Sequence, residues 1–174
     1  IDGTVELLNN LVDWGSMQMR GQGFEKEKVH MRTLVSNMFK SFEVMASLKS
    51  NIMVKLVGED LFIKSEINSM RFILRNLISN ANKFTKEGVI TVYAHKEDKE
   101  IMLSVSDTGV GMTEEVKAKL FDGEHYQSTT GTGDEKGSGL GLILTKDFIH
   151  MLGGSIKVES TIDKGTSVYL YFND

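Results

Sequence analysis

Apolar side chains recur along this chain at two spacings, and the switches between them outline its elements. Val5, Leu8, Leu11, Val12 and Met19 repeat at helical intervals across residues 4–20, and Gly21-Gln22-Gly23 supplies the stop. A short strand is expected at 27–30, followed by an amphipathic helix marked by Leu34, Val35, Met38, Phe42, Met45 and Ala46. Strands are predicted at 52–57 and 61–63, separated by Gly58-Glu59-Asp60. From Ile67 through Met70, Ile73, Leu74, Leu77, Ile78 and Ala81 the spacing of three and four returns, giving a helix that runs to about Phe84. Residues 89–95 and 102–106 form a hairpin pattern around Glu97-Asp98-Lys99-Glu100. Thr113 is placed to cap a short helix to about residue 120, with Glu114 and Glu115 in its first turn. An apolar helix follows Gly139 and stops at Gly153-Gly154, and a last strand pair is expected at 155–160 and 167–172. Strand pairs mixed with helices predict an α+β class: a two-layer α/β sandwich with helices on one face of a mixed sheet.

Composition narrows the class. At 174 residues the chain can bury one sizeable core, and 40% hydrophobic with 25% charged residues is ordinary for a globular domain. A net charge of −4 argues against non-specific nucleic-acid binding, so any phosphate recognition must be local. No apolar run is long enough to span a bilayer and no leader pattern opens the chain, so no membrane contact is expected of these residues. The absence of cysteine removes disulfides and thiolate metal sites and fits a reducing, cytoplasmic setting.

Three places carry candidate chemistry. Gly137-Ser138-Gly139-Leu140-Gly141-Leu142 opens the last helix; glycines there let backbone approach a phosphate, and the helix start offers unpaired N–H groups. Asn76 and Asn80 lie one turn apart on one helix face, near the edge of its apolar stripe. They read either as surface amides or as neutral oxygen ligands suited to Mg2+ that shares its sites with phosphates. Lys83, three positions on, is a solvated lysine or a point charge for the same phosphates, and Phe84 ends the core or covers a ring. Asp107 follows a strand and precedes Gly109, Gly111 and Met112; its carboxylate either closes an Asx turn or accepts the amino group of an adenine. Lys136 stands just before the last glycine motif, where it could meet a terminal phosphate. The loop 122–138 has almost no aliphatic residues and reads as a lid rather than a link, because both its flanks carry phosphate candidates. His30, His95, His125 and His150 are isolated and lack a second ligand at metal spacing.

Taken in order, these motifs resemble the ATP-binding catalytic domain of sensor histidine kinases, in the superfamily that also holds gyrase, MutL-type repair ATPases and the large ATP-dependent heat-shock chaperones. NLISNANKFT (76–85) is similar to the N box, DTGVGM (107–112) to the first glycine box, GSGLGL (137–142) to the second and GTSVYLYF (165–172) to the last. LFDGEHYQS (120–128) resembles a divergent F box, with Glu124 where a second phenylalanine is common. The resemblance implies the Bergerat ATP-binding fold, with ATP and Mg2+ as ligands. It implies Mg2+ at Asn80 with Asn76 helping at the phosphates, and adenine at Asp107 with Thr166 nearby. Lys83, Phe84, Gly109, Gly111 and residues 137–142 would contribute ring or phosphate contacts.

The hydrolytic members of that superfamily place a glutamate four residues before the metal asparagine, as a base for water. Here the position is Asn76, which cannot accept a proton, so transfer to a protein histidine fits better than hydrolysis. The family's acceptor helix carries a histidine followed by an acidic residue and then a proline; no histidine here has that setting, and the chain has no proline. Residues 1–22, including LLNNLVDW, resemble the end of a dimerisation helix, and 23–174 the catalytic domain. The expected partners are therefore a dimerisation domain bearing the acceptor histidine and a response regulator receiver domain, with this chain a piece of a larger kinase. A module that holds ATP without transferring it, and a hydrolytic ATPase, are the competing readings.

Overall fold

A computed structural model describes residues 25–121, 131–133 and 140–174, together with Leu8, Val12 and Gly15. The helix expected at 4–20 otherwise lies outside the described residues, as does most of the loop 122–138. In chain order the elements are β1 (Glu27–His30), α1 (Met31–Leu48), β2 (Ile52–Val57), β3 (Phe62–Ser65), α2 (Ile67–Phe84), β4 (Val89–Glu97) and β5 (Glu100–Asp107). Then come α3 (Glu114–Ala118), α4 (Leu140–Met151), β6 (Ser155–Thr161) and β7 (Gly165–Asn173).

Five strands form one mixed sheet in the order β2-β4-β5-β7-β6, parallel between β2 and β4 and antiparallel elsewhere. The period-two pattern sets its faces. On β4, Ile90, Val92 and Ala94 are buried, while Thr91 and Tyr93 between them, and His95 after them, belong to the opposite face. The buried face continues through Ile101, Leu103 and Val105 into Val168, Leu170 and Phe172. Against it lies α2, whose Phe72, Ile73, Leu74, Leu77, Ile78 and Ala81 are all buried. α4 adds Leu144, Phe148 and Ile149, with the Phe72 and Phe148 rings tilted at 4.4 Å between centroids. Among the described residues no helix is long and apolar enough to cross a membrane.

Within the described residues the elements expected from spacing are present, while their pairing is set by contacts that spacing does not convey. β2 and β3 are neighbours in sequence yet do not pair; β3 joins β1 in a separate antiparallel ribbon, Val29 opposite Ile63. β2 instead pairs parallel to β4, which requires a crossover, and α2 is that crossover. Spacing within single strands carries no information about such partners.

Both ends of α2 are held. At its start the Glu66 side chain accepts from the N–H groups of Asn68 (3.1 Å) and Ser69 (2.5 Å), placing a carboxylate at the positive end of the helix. At its end the Lys49 ammonium donates to the carbonyls of Asn82 and Lys83, both at 2.7 Å. Buried Asn51 donates to the Asn82 side-chain oxygen (3.0 Å) and to the Thr85 carbonyl (2.8 Å), and accepts from Gly88 N–H (3.2 Å). The turn after α2 is thus tied to the start of the sheet.

Because Phe148 fills the contact between α2 and α4, Phe148→Ala is expected to cost about 3–5 kcal/mol of folding stability, the usual range for removing a buried aromatic. Urea unfolding measures it; a loss under about 1 kcal/mol would mean that α4 is not packed on α2 as described.

Candidate functional site

The end of β5, the turn after α2 and the β6–β7 hairpin meet through backbone contacts that only glycine allows. A β-carbon on Gly109 would lie 2.2 Å from the Phe84 carbonyl oxygen, and one on Gly111 1.9 Å from that of Thr161. One on Gly165 would lie 1.9 Å from the Asp107 carbonyl oxygen, and Gly111 and Gly165 have φ of 65° and 100°. Hydrogen bonds fix the same approach: Val110 N–H donates to the Phe84 carbonyl (3.1 Å) and Asp163 N–H to that of Val110 (2.9 Å).

Asp107 sits at this junction. One carboxylate oxygen accepts from Gly109 N–H at 2.8 Å, the Asx-type turn that the spacing suggests. The turn uses one of the two carboxylate oxygens. Burial pushes the carboxyl above the usual aspartate range, while hydrogen bonds from the Gly109 and Thr166 backbone, and the nearness of the Thr85 hydroxyl, oppose the rise. Thr166 lies directly across from Asp107 in the β5–β7 register. Its hydroxyl is 2.8 Å from Ser160 Oγ, which also accepts from Met112 N–H at 2.8 Å and donates to the Gly165 carbonyl at 3.1 Å. Since Ser160 spends its one proton on Gly165, Thr166 is the donor in that pair.

The α2 candidates separate. Asn80 is half-buried on the last turns, whereas Asn76 is inside the protein rather than at the edge of the core. The cause is the last glycine motif: a β-carbon on Gly141 would lie 3.1 Å from Asn76 Oδ1, so α4 comes down directly on that amide. Asn76 Nδ2 is buried without a hydrogen-bond partner. The Lys83 ammonium lies over the Phe84 ring, 4.7 Å from its centroid, and Phe84 is half-buried. Leu140 and Leu142 pack partly against the core. Lys136, Gly137, Ser138 and Gly139 lie outside the described residues.

Spacing did not identify Thr132. Its N–H and hydroxyl both reach the Lys83 carbonyl, at 3.0 and 3.2 Å, joining the 122–138 loop to the end of α2. Threonine-rich composition marks the loop but cannot single out the anchoring residue. Asn82 is likewise buried in the Asn51 network, on the side of α2 that ties it to the sheet.

The site therefore offers one carboxylate, carboxamides, and a glycine-built approach. Among the described residues no group of three His, Asp or Glu could hold a metal by itself. A divalent cation would have to share its coordination between a neutral amide and ligand oxygens, as Mg2+ does beside phosphates. The orphaned amide under the last glycine motif also fits a site whose polar partners arrive with a ligand.

A family model described as "Histidine kinase-, DNA gyrase B-, and HSP90-like ATPase" matches residues 65–174. The sensor protein GacS of Pseudomonas syringae pv. syringae is 29% identical over 97% of this chain and 19% of its own length. The chain spans about a fifth of the length of such curated relatives. Two solved structures share the fold: full-length ShkA in complex with AMPPNP, with a TM-score of 0.79, 23% identity and 97% of this chain against 35% of that one covered. The other is histidine kinase ThkA in complex with response regulator protein TrrA, with a TM-score of 0.72, 19% identity and coverage of 98% and 48%.

Asp107→Asn separates fold from site. Burial makes the folded carboxyl hold its proton to higher pH than the unfolded one, so its contribution to stability is full at acid pH and is lost as pH rises through the folded value. The variant does not titrate and can still accept from Gly109. Its melting temperature relative to the parent should therefore rise from about pH 4 to about pH 7. A difference that stays constant with pH would show that the carboxyl is not strained by burial.

Proposed function

Since the chain belongs to the histidine kinase-, DNA gyrase B- and HSP90-like ATPase family, we propose that it is the ATP-binding catalytic part of a sensor histidine kinase, passing the γ-phosphoryl group to a histidine on a dimerisation domain. The observation that carries the reading is the half-buried Asp107 carboxylate, held by Gly109 N–H at the point where glycine contacts bring the end of α2, the end of β5 and the β6–β7 hairpin together.

In this reading the Asp107 carboxylate accepts from the 6-amino group of adenine, where guanine carries a carbonyl oxygen, and so selects ATP. Asn80 would hold Mg2+, and Lys83 and Lys136 would meet phosphate oxygens with Gly137, Ser138, Gly139, Leu140, Gly141 and Leu142 closing around them. Bound there, Mg2+ would neutralise charge on the phosphates. Phosphoryl transfer asks mainly for positioning and charge stabilisation, and this set of side chains supplies both. Asn76 cannot take a proton from water, which supports transfer to another group over hydrolysis. The proposed division is 1–22 as the end of the dimerisation helix and 23–174 as the catalytic domain. A receiver domain as downstream partner is supported by the ThkA–TrrA assembly.

Calorimetry should show ATP binding that depends on Mg2+, and Asn80→Ala should remove that dependence. Asp107→Asn presents a donor to a donor, which should weaken binding by about 1–3 kcal/mol while the fold persists. No ATP binding by the parent, or equal binding by a folded Asp107→Asn, would contradict the reading.

With radiolabelled ATP and Mg2+ alone the chain should acquire no phosphohistidine, because none of its histidines has an acceptor's surroundings. Label should appear on an added dimerisation domain of the same kinase, at a rate that grows with the amount added. Acid-labile label on the chain alone, lost in His125→Ala, would show that the acceptor lies within it.

A further inference from the structure

Thr85 closes the N-box motif and has no role in the reading above. It is fully buried, and its Oγ1 has no partner in hydrogen-bond geometry. A buried hydroxyl without a partner is costly, so its position calls for a function. The hydroxyl points to the junction itself. A β-carbon on Gly109 would lie 2.7 Å from Thr85 Oγ1 and 2.8 Å from Asp107 Oδ1, so hydroxyl and carboxylate face one another across the space that glycine leaves empty. The other side of Thr85 is fixed, since a β-carbon on Gly88 would lie 2.6 Å from its Cγ2. Its carbonyl accepts from Asn51, so the backbone cannot drift away from Asp107.

We propose that Thr85 is the positioning residue of the nucleotide site: its hydroxyl donates to the Asp107 carboxylate, directly or through one shared water, and holds the other oxygen toward the amino group of the base. The inference rests on the nucleotide reading of the site. The chemistry is specific. A threonine hydroxyl can donate to an ionised carboxylate, and such a charge-assisted bond favours the ionised form, the form that accepts from an amino group without offering a competing proton. The Thr85 hydroxyl is one of three groups that oppose the rise caused by burial, the others being backbone N–H groups that no side-chain change removes. Among the described residues none of the influences on Asp107 is a neighbouring charge. The hydroxyl is therefore the one of the three that a substitution can delete.

The test uses the whole chain and its Thr85→Val, Thr85→Ala and Thr85→Ser variants, each checked for a cooperative melt. Carboxyl NMR titration of Asp107 without nucleotide is the first readout, and calorimetry with ADP and Mg2+ is the second. Thr85→Val, equal in shape, should raise the Asp107 pKa and weaken ADP about tenfold or more, the effect of losing a hydrogen bond to a charged group. Thr85→Ala should do the same, which keeps the result readable if valine disturbs packing, and Thr85→Ser should restore both values. A parent that binds no adenine nucleotide would overturn the functional reading itself. A parent that binds, with valine and alanine variants unchanged in both readouts, would overturn the role of Thr85 alone.

Discussion

Three glycines pressed against three carbonyl oxygens hold this molecule's working parts in one place. Gly109 lies against Phe84, Gly111 against Thr161 and Gly165 against Asp107, each closer than a β-carbon would permit. Those contacts bring the end of α2, the end of β5 and the β6–β7 hairpin to a single junction. Everything proposed for the site follows from that meeting. Gly165 lets the hairpin lie against the Asp107 backbone, and Thr85 faces the carboxylate because Gly109 carries no side chain. The large core beneath supplies stability, but the glycines decide where the polar groups lie.

Much of this was legible in the order of residues. The apolar spacing of 67–84 marked α2, and the alternation of 89–95 and 102–106 marked β4 and β5, because each element turns one face to the same core. Asp107, Gly109 and Gly111 were legible as a strand end followed by a turn. What spacing could not convey was who meets whom. The separate β1–β3 ribbon and the parallel pairing of β2 with β4 depend on contacts between distant segments. The burial of Asn76 depends on Gly141, sixty-five positions later, lacking a side chain. Thr132 and Thr85 look ordinary in sequence; only the carbonyls and carboxylate around them give them work.

The junction also carries unfavourable terms that a purely structural site would have shed. Asp107 is buried enough for its carboxyl to be pushed upward, and Asn76 Nδ2 and Thr85 Oγ1 are buried without partners. Selection for stability alone favours replacing such groups. Thr85 and Asp107 share the junction and Asn76 lies farther back on α2 under Gly141, a pattern that fits a binding site whose partners come with the ligand. The polar network around Asn51, Asn82 and Lys49 is the contrast: at the same helix end its groups are hydrogen-bonded to one another and to backbone carbonyls, and it serves the fold.

The most direct test of the central claim is a crystal structure of the chain with an ATP analogue and Mg2+. The account predicts the adenine amino group within hydrogen-bond distance of the Asp107 carboxylate, and the metal held by the Asn80 carboxamide and phosphate oxygens. A base bound elsewhere, or an Asp107 engaged only with Gly109 while the nucleotide lies apart, would contradict it.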